Sequence, residues 1–324
     1  MALIKKLPID LGVRFLEYRK IFFVISTLIV LTSLALVAVR GLNFGVDFRG
    51  GTLIEIRTHQ VEELGALRSE LNSLGLGPIS IQEFGQPRDL LVNLQKQDGG
   101  EQEQQVAIAA VKEALDDKVE EYRRVEFVGP KVGEELKISG ILATVLSLLG
   151  IAIYIWIRFE WQFSVAALVA LSHDVIATVG FYALTQYEFN LATLAAVLTI
   201  AGYSINDTVV IFDRVRDKLR RFKKLEQNEL LDRALNKTLS RTILTSVTTL
   251  LALVALFLFG GEVLRGLSLG LIFGVLIGTY SSLGLAVPLL SLTDLRSSQD
   301  EDEDSHDDKT LPKKDDQSTP IHLG

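Results

Sequence analysis

Cysteine is absent from this 324-residue sequence. Disulfide bridges, thiolate metal sites and cysteine nucleophiles are excluded with it. The chain also has no Walker A loop, no cluster of metal-ligating side chains and no serine–histidine–acid arrangement. It reads as something other than an enzyme, with no metal and no organic cofactor implied. Any work it does must draw on an ion gradient or on partners.

Charge is missing from long stretches. Charged residues make up 23% of the chain and hydrophobic residues 48%, so the apolar residues must be segregated into blocks. Six blocks are long enough to cross a bilayer, which takes about 20 helical residues. Ile21–Val39, Ile138–Ile157, Thr242–Phe259 and Gly266–Leu290 carry no charge. Phe163–Leu184 contains His173 and Asp174, and Leu191–Phe212 contains Asp207. The first block is longer than the apolar core of a signal peptide, about 7–15 residues, and is expected to be an uncleaved anchor.

Lysine and arginine in short loops set the orientation. The first 20 residues are basic, and residues 214–224 (RVRDKLRRFKK) are strongly so, whereas Thr185–Asn190 has no basic residue. Both termini are therefore expected on the cytoplasmic side. The basic segment has no accompanying aromatic platform, so topology and contact with anionic membrane lipid explain it better than nucleic acid does. Cytoplasmic segments are expected at 1–20, 214–240 and, as an acidic disordered tail, 292–324. Spans are expected at 21–40, 137–157, 163–184, 191–213, 241–259 and 265–291.

Residues 41–136 change periodicity. Thr52–Thr58 alternates as a strand, Val61–Leu74 has helical spacing, and Ile79–Phe84 and Leu90–Leu94 read as strands. Gln104–Leu115 reads as a helix and Tyr122–Val128 as a last strand. The order β-α-β-β-α-β is that of a ferredoxin-like split unit. The fold class is thus a six-helix polytopic membrane protein with an α+β ferredoxin-like extracytoplasmic domain. Two glycine-rich joints flank that domain: GLNFGVDFRGGT, with Gly45, Asp47, Gly50 and Gly51 as hinge candidates, and GPKVG at 129–133.

Ionisable groups inside spanning helices are costly and mark function by default. Asp207, late in the fourth block, has Tyr203 on its face and Asn206 beside it. Arg241 opens the fifth block, followed by a stripe of Thr242, Thr245 and Thr249. If blocks four and five are neighbours, Asp207 and Arg241 lie at similar depth and can pair when both are ionised. Protonation would break the pair. Asp174 is a second relay candidate. His173 points about 100° away on an ideal helix, so the two are expected to serve different sites. Gly266, Gly270, Gly274 and Gly278 form a small-residue stripe for close helix packing.

These strings resemble the SecD/SecF family of the RND superfamily. The residues that carry the resemblance are GLNFGVDFRGGT after the first block, SHDV in the third, GYSINDTVVIFDRVRD ending the fourth, SRTILTSVTTLLALVALFLFGG in the fifth and LIFGVLIGTYSSLGLAVPLL in the sixth. The fourth-block string looks like the SecF side of the family. The likeness covers about residues 10–295, and the acidic tail lies outside it. It implies a twelve-helix bundle made with a SecD partner, association with the SecYEG channel, SecA acting upstream, and a preprotein as the moved substrate. It implies protons as the coupling ion, with Asp207 and Arg241 in their path. It also implies a bacterial inner membrane, or a thylakoid membrane in a photosynthetic cell. A half-size exporter of small molecules or lipids, and a non-transporting scaffold, are the rival readings.

Overall fold

The structure, a computed structural model, describes residues 12–77 and 79–295. The expected acidic tail lies, apart from its first residues, outside the described residues. Among the described residues six helices are long and apolar enough to span a membrane. They are α1 (Arg19–Arg40), α5 (Pro130–Arg158), α6 (Trp161–Thr185), α7 (Leu191–Arg221), α8 (Gln227–Phe259) and the pair α9 (Glu262–Ser281) and α10 (Val287–Leu290). The chain is a multi-pass membrane protein.

The last span is interrupted. Ser282–Ala286 widens into a π turn between α9 and α10. Pro288 supplies the reason. It has no N–H to give, and its ring crowds the carbonyl four residues back, so the ladder opens just before it.

The basic segment expected as a loop at 214–240 is mostly helical. α7 runs on to Arg221 and α8 begins at Gln227, leaving a link of a few residues. The reason is that Val215, Leu219, Leu230, Leu231, Ala234 and Leu235 are apolar at helical spacing and bury together against Leu16, Phe159 and Phe163. Asp217 accepts from Arg214 and Arg221 on the outer face. The N-terminal segment docks on this hairpin. Val13 N donates to Asn236 Oδ1 at 2.9 Å, and Asn236 Nδ2 returns a bond to Val13 O at 2.8 Å.

Outside the membrane layer, strands β1 (Gly51–Thr58), β2 (Ile79–Phe84), β3 (Gln86–Leu94) and β4 (Val119–Val128) form an antiparallel sheet in the order β2-β3-β1-β4. Helices α3 (Leu64–Asn72) and α4 (Glu101–Leu115) cover one face, as the ferredoxin-like unit requires. Ile54, Ile56, Leu71, Leu90, Val92, Val111 and Leu115 are buried between the layers. On the opposite face Asp89, nearly enclosed, takes both forks of Arg57 at 2.7 and 2.9 Å and Arg123 Nη1 at 3.0 Å. The Arg57 hydrogen bond, helped by Arg123, holds the Asp89 carboxyl below its ordinary value of 3.8 despite burial.

The two glycine joints meet. A short helix α2 (Val46–Arg49) stands inside the first, and Gly133 of α5 lies against it. A Cβ on Gly133 would sit 3.0 Å from Gly50 N. Gly50 and Gly51 have φ of 71° and 127°, which side-chain-bearing residues rarely adopt.

Candidate functional site

The deepest polar group is Asp174. It lies 13 residues after Trp161 and 11 before Thr185. At about 1.5 Å per residue that places it ~20 Å and ~17 Å from the two helix ends, at mid-bilayer. Its side chain is fully enclosed. Ser204 Oγ of α7 donates to Oδ2 at 2.5 Å, and Ser281 Oγ, at the end of α9, donates to the same oxygen at 2.7 Å. His173 Nδ1 lies 2.9 Å from Oδ1. His173 and Asp174 therefore share one site. An ideal helix turns adjacent Cβ atoms about 100° apart, yet the His173 ring, buried and beside the Tyr280 ring, comes within hydrogen-bond reach of the neighbouring carboxylate.

The cluster continues. The Thr208 and Ser282 hydroxyls are 2.9 Å apart, and those of Ser246 and Thr279 are 2.7 Å apart. Tyr280 OH donates to Phe22 O and meets Ser26 Oγ, so α1 joins too. Ser281 and Ser282, where α9 passes into the π turn, point in different directions as neighbouring helical residues do, and so reach different partners. Ser281 carries no signal in the sequence, because it lies beside the small-residue stripe, which Ser282 continues at the same spacing.

Asp207 lies one turn from Ser204 on α7, towards the cytoplasmic end expected from the basic loop. It is 5% exposed, and its Oδ2 has no hydrogen-bond partner among the described residues. His173 Nε2 and Thr242 Oγ1 are likewise buried with no hydrogen-bond partner among the described residues. Asp207 and Arg241 do not form the direct pair anticipated from their depth. Arg241 is exposed and points into a cleft of about 310 Å³ between α7 and α8, with Asp213, Asp217 and Lys237. Its charge is close enough to act on Asp207 through space. The reason lies in burial. Asp207 faces the packed side of α7, whereas Arg241 faces the open cleft between α7 and α8.

The threonine stripe of α8 is not a uniform wet wall. Thr238 and Thr245 bond back to their own helix carbonyls, and Thr249 accepts from Tyr203 OH at 3.3 Å. Thr242 alone of the four is left free. Asn206 lies exposed beside the site. The glycine stripe of α9 packs inward. Gly266 faces Thr193, Gly270 faces the Tyr182 ring, Gly274 faces Ile200 and Gly278 faces Ser204, whose Cβ would be 3.0 Å from an added one. It seats α9 against α6 and α7 and so brings Ser281 to Asp174. The comparable stripe Ser139, Ala143 and Ser147 on α5 is exposed.

At the outer rim the first joint is fastened to the α6–α7 turn. Gly45 N donates to Phe189 O at 3.0 Å, and Phe189 N to Asn43 O at 2.7 Å. Phe44, Phe48, Phe189 and Tyr182 pack ring on ring. A side chain at Gly45 would collide with Glu188. Burial, reinforced by Asp47 and opposed by Arg49, pushes the Glu188 carboxyl above its ordinary value of 4.5. Asp47 Oδ2 accepts from Leu191 N at 2.9 Å, at the first turn of α7. Glu188 and Phe189 carried no signal in the sequence.

Six spans, a buried carboxylate cluster at mid-bilayer and an external α+β domain fastened to the α6–α7 turn define a polytopic membrane protein with a polar site inside its helix bundle. Comparison with known proteins narrows this. Residues 107–296 match the family model "Protein export membrane protein SecD/SecF, C-terminal", and residues 35–60 match the "SecD/SecF GG Motif". The chain is 43% identical over 294 residues to the protein translocase subunit SecF of Rickettsia rickettsii, covering 89% of this chain and 94% of that one. It is 41% identical over 290 residues to the SecF of Rickettsia typhi, covering 88% and 93%. Among solved structures it superposes on the translocon-associated membrane protein SecDF from Thermus with a TM-score of 0.80 and 34% identity, over 88% of this chain and 39% of that one. A super-membrane-facing form of SecDF gives 0.65 and 32%, over 90% and 40%. The chain thus spans about two fifths of the SecDF polypeptide. It belongs to the SecD/SecF family of protein-export membrane proteins, as a SecF-type member.

Proposed function

We propose that this chain is the SecF-type half of a protein translocase accessory complex that uses the proton gradient to promote late steps of preprotein movement. The observation that carries the proposal is the pair of buried carboxylates. Asp174 is enclosed by His173, Ser204 and Ser281, and Asp207, one turn along the facing helix, has an oxygen with no partner among the described residues. Buried charge in a bilayer is costly enough that such groups are kept for a task. Protons serve as the coupling ion, and neither ATP nor another cofactor takes part. Moving one charge through the membrane potential supplies about 2.3 kcal/mol per 100 mV.

In this reading Arg241 acts on Asp207 across the cytoplasmic cleft, through space rather than by a fixed bond. Tyr203, Asn206 and Thr245 border the route, and Thr242 lies on it. A SecD partner completes the bundle and covers the exposed faces of α5 and α8. The SecYEG channel is the assembly served, with SecA acting earlier and an unfolded preprotein as substrate. Nucleic acid has no part. Both termini are cytoplasmic, and the home is the bacterial inner membrane, or a thylakoid membrane in a photosynthetic cell.

The test is preprotein export in membrane vesicles with and without a proton gradient. Asp207→Asn, Asp174→Asn and Arg241→Met should each remove the stimulation by the gradient while the protein still accumulates. Unimpaired stimulation in all three would overturn the coupling.

A further inference from the structure

The sheet face turned away from α3 and α4 looks onto the outer rim of the helix bundle, and a cleft separates the two. It consists of adjoining cavities of about 510 and 590 Å³ that share Asn43, Val46, Gln82 and Glu188. The strand register sets out its floor. Ser80, Asn93 and Leu53 form one row across β2, β3 and β1; Gln82, Leu91 and Glu55 form the next. Asn93 Oδ1 is buried in this floor with no hydrogen-bond partner among the described residues.

We propose that this cleft binds an extended segment of polypeptide through its backbone, with little regard to sequence. Primary amides offer a donor and an acceptor together, the complement of a peptide unit. Asn93 Oδ1 is an acceptor that needs an N–H, and a passing backbone supplies one at every residue but proline. Leu53 and Leu91 lie among the polar positions and give side chains of any size a flat apolar rest. Charge of both signs borders the cleft. Arg49 and Lys96 line one cavity, and Glu55, Glu126 and Arg124 the other. Such a border rejects neither acidic nor basic segments.

Other occupants fit worse. An anionic lipid headgroup would meet Glu188, Asp47, Glu55 and Glu126. A small molecule usually takes a mainly apolar pocket with a few convergent polar groups, and these walls are evenly mixed. Strand addition at the β2 edge is impeded, because Arg68 Nη2 of α3 already donates to Ile81 O at 3.1 Å. The face is what remains on offer. The export reading accounts for the presence of an unfolded chain, and the proposal rests on it to that extent. The site itself rests on these residues.

The experiment measures binding of a labelled unstructured peptide to the full chain in nanodiscs. Three peptides serve as probes: the parent, a scrambled version, and the parent with N-methylated backbone amides. Parent and scramble should bind alike, and the methylated peptide at least about tenfold more weakly. Gln82→Leu combined with Asn93→Leu should weaken the parent about tenfold as well, whereas Glu113→Gln on the covered side should change nothing. Thermal unfolding checks the variants. If Asn93→Leu fails to fold, Gln82→Leu with Ser80→Val carries the test, since both positions are exposed. Undiminished binding by the cleft variants, equal binding of the methylated peptide, or no binding by the wild-type chain overturns the proposal. Cleft-dependent binding together with gradient-independent export would overturn the coupling and leave the site standing. Coupled export with no peptide bound would do the reverse.

Discussion

Asp47 and Leu191 are 144 residues apart in sequence, and a hydrogen bond of 2.9 Å joins the carboxylate of one to the backbone N–H of the other. Asp47 belongs to the joint that carries the external domain; Leu191 begins the helix that carries Asp207. Asn190 and Thr193 already form a capping box at this helix start, so Asp47 satisfies a further N–H there from outside the helix. A displacement of α7 is felt by the joint through this bond and the Phe44–Phe189 pairing. Asp47→Ala should lower the stability of the cap by about 1 kcal/mol. Hydrogen exchange at Leu191 should rise, and gradient-stimulated export should fall without loss of protein. Asp47→Asn, which keeps an acceptor oxygen, should retain most of both.

Glu188 gives the same contact a pH dependence. Its folded-state carboxyl titrates above the ordinary 4.5, so the docked joint bears a cost while Glu188 is ionised. As pH falls through the raised value the cost disappears, and docking becomes firmer. Asp47 and Arg49 of the joint act on Glu188 directly, and Lys96, just after β3, and Glu55, Glu83, Arg124 and Glu126 of the sheet line the adjoining cavities. Protection of residues 44–50 in hydrogen exchange should therefore increase from neutral pH towards 4.5. Glu188→Gln should show the firm state throughout.

Asp89 works with the opposite sign. Its carboxyl titrates below 3.8 in the folded domain because Arg57 and Arg123 bond its ionised form. That contribution is fully present above 3.8 and is lost as pH falls through the depressed folded value. Asp89→Asn leaves both guanidinium groups without their carboxylate and should destabilise the external domain by about 2–3 kcal/mol. Chemical denaturation of the wild type and the variant, at neutral pH and in acid, would check both the loss and its disappearance in acid.

Glycine 274 and glycine 150 make a matched pair. A Cβ on Gly274 would run into Ile200, whereas one on Gly150 meets nothing within 4 Å. Gly274→Ala should destabilise the bundle by about 1–3 kcal/mol. It should also disturb the Ser281–Asp174 bond and reduce coupling. Gly150→Ala should be neutral or slightly stabilising, because both lie in helices where alanine is the better former. Thermal unfolding in detergent compares them directly.

Much of the fold was written locally. Six long apolar runs, a switch to alternating residues after Gly51 and the β-α-β-β-α-β order are properties of neighbouring residues, and they place the strands to within a few positions. The basic segment after Asp213 reads as a loop because charge dominates its composition, yet it is mostly helical. Its apolar residues recur at helical spacing but find their partners far away, at Leu16 and Phe159. Asp174 and Asp207 stood out because a carboxylate in an apolar block is conspicuous. Ser281 does not, since serine is common in membrane helices.

The sequence by itself determined what must lie in the membrane and what must not, because burying an apolar run or exposing a charge is settled residue by residue. Only the tertiary structure decided which polar groups meet. It joined His173 to Asp174, separated Arg241 from direct contact with Asp207, and tied Asp47 to the start of α7. Those relations depend on how helices rotate and cross when glycine lets them come close, and distances between helix faces are not encoded in any single stretch of chain.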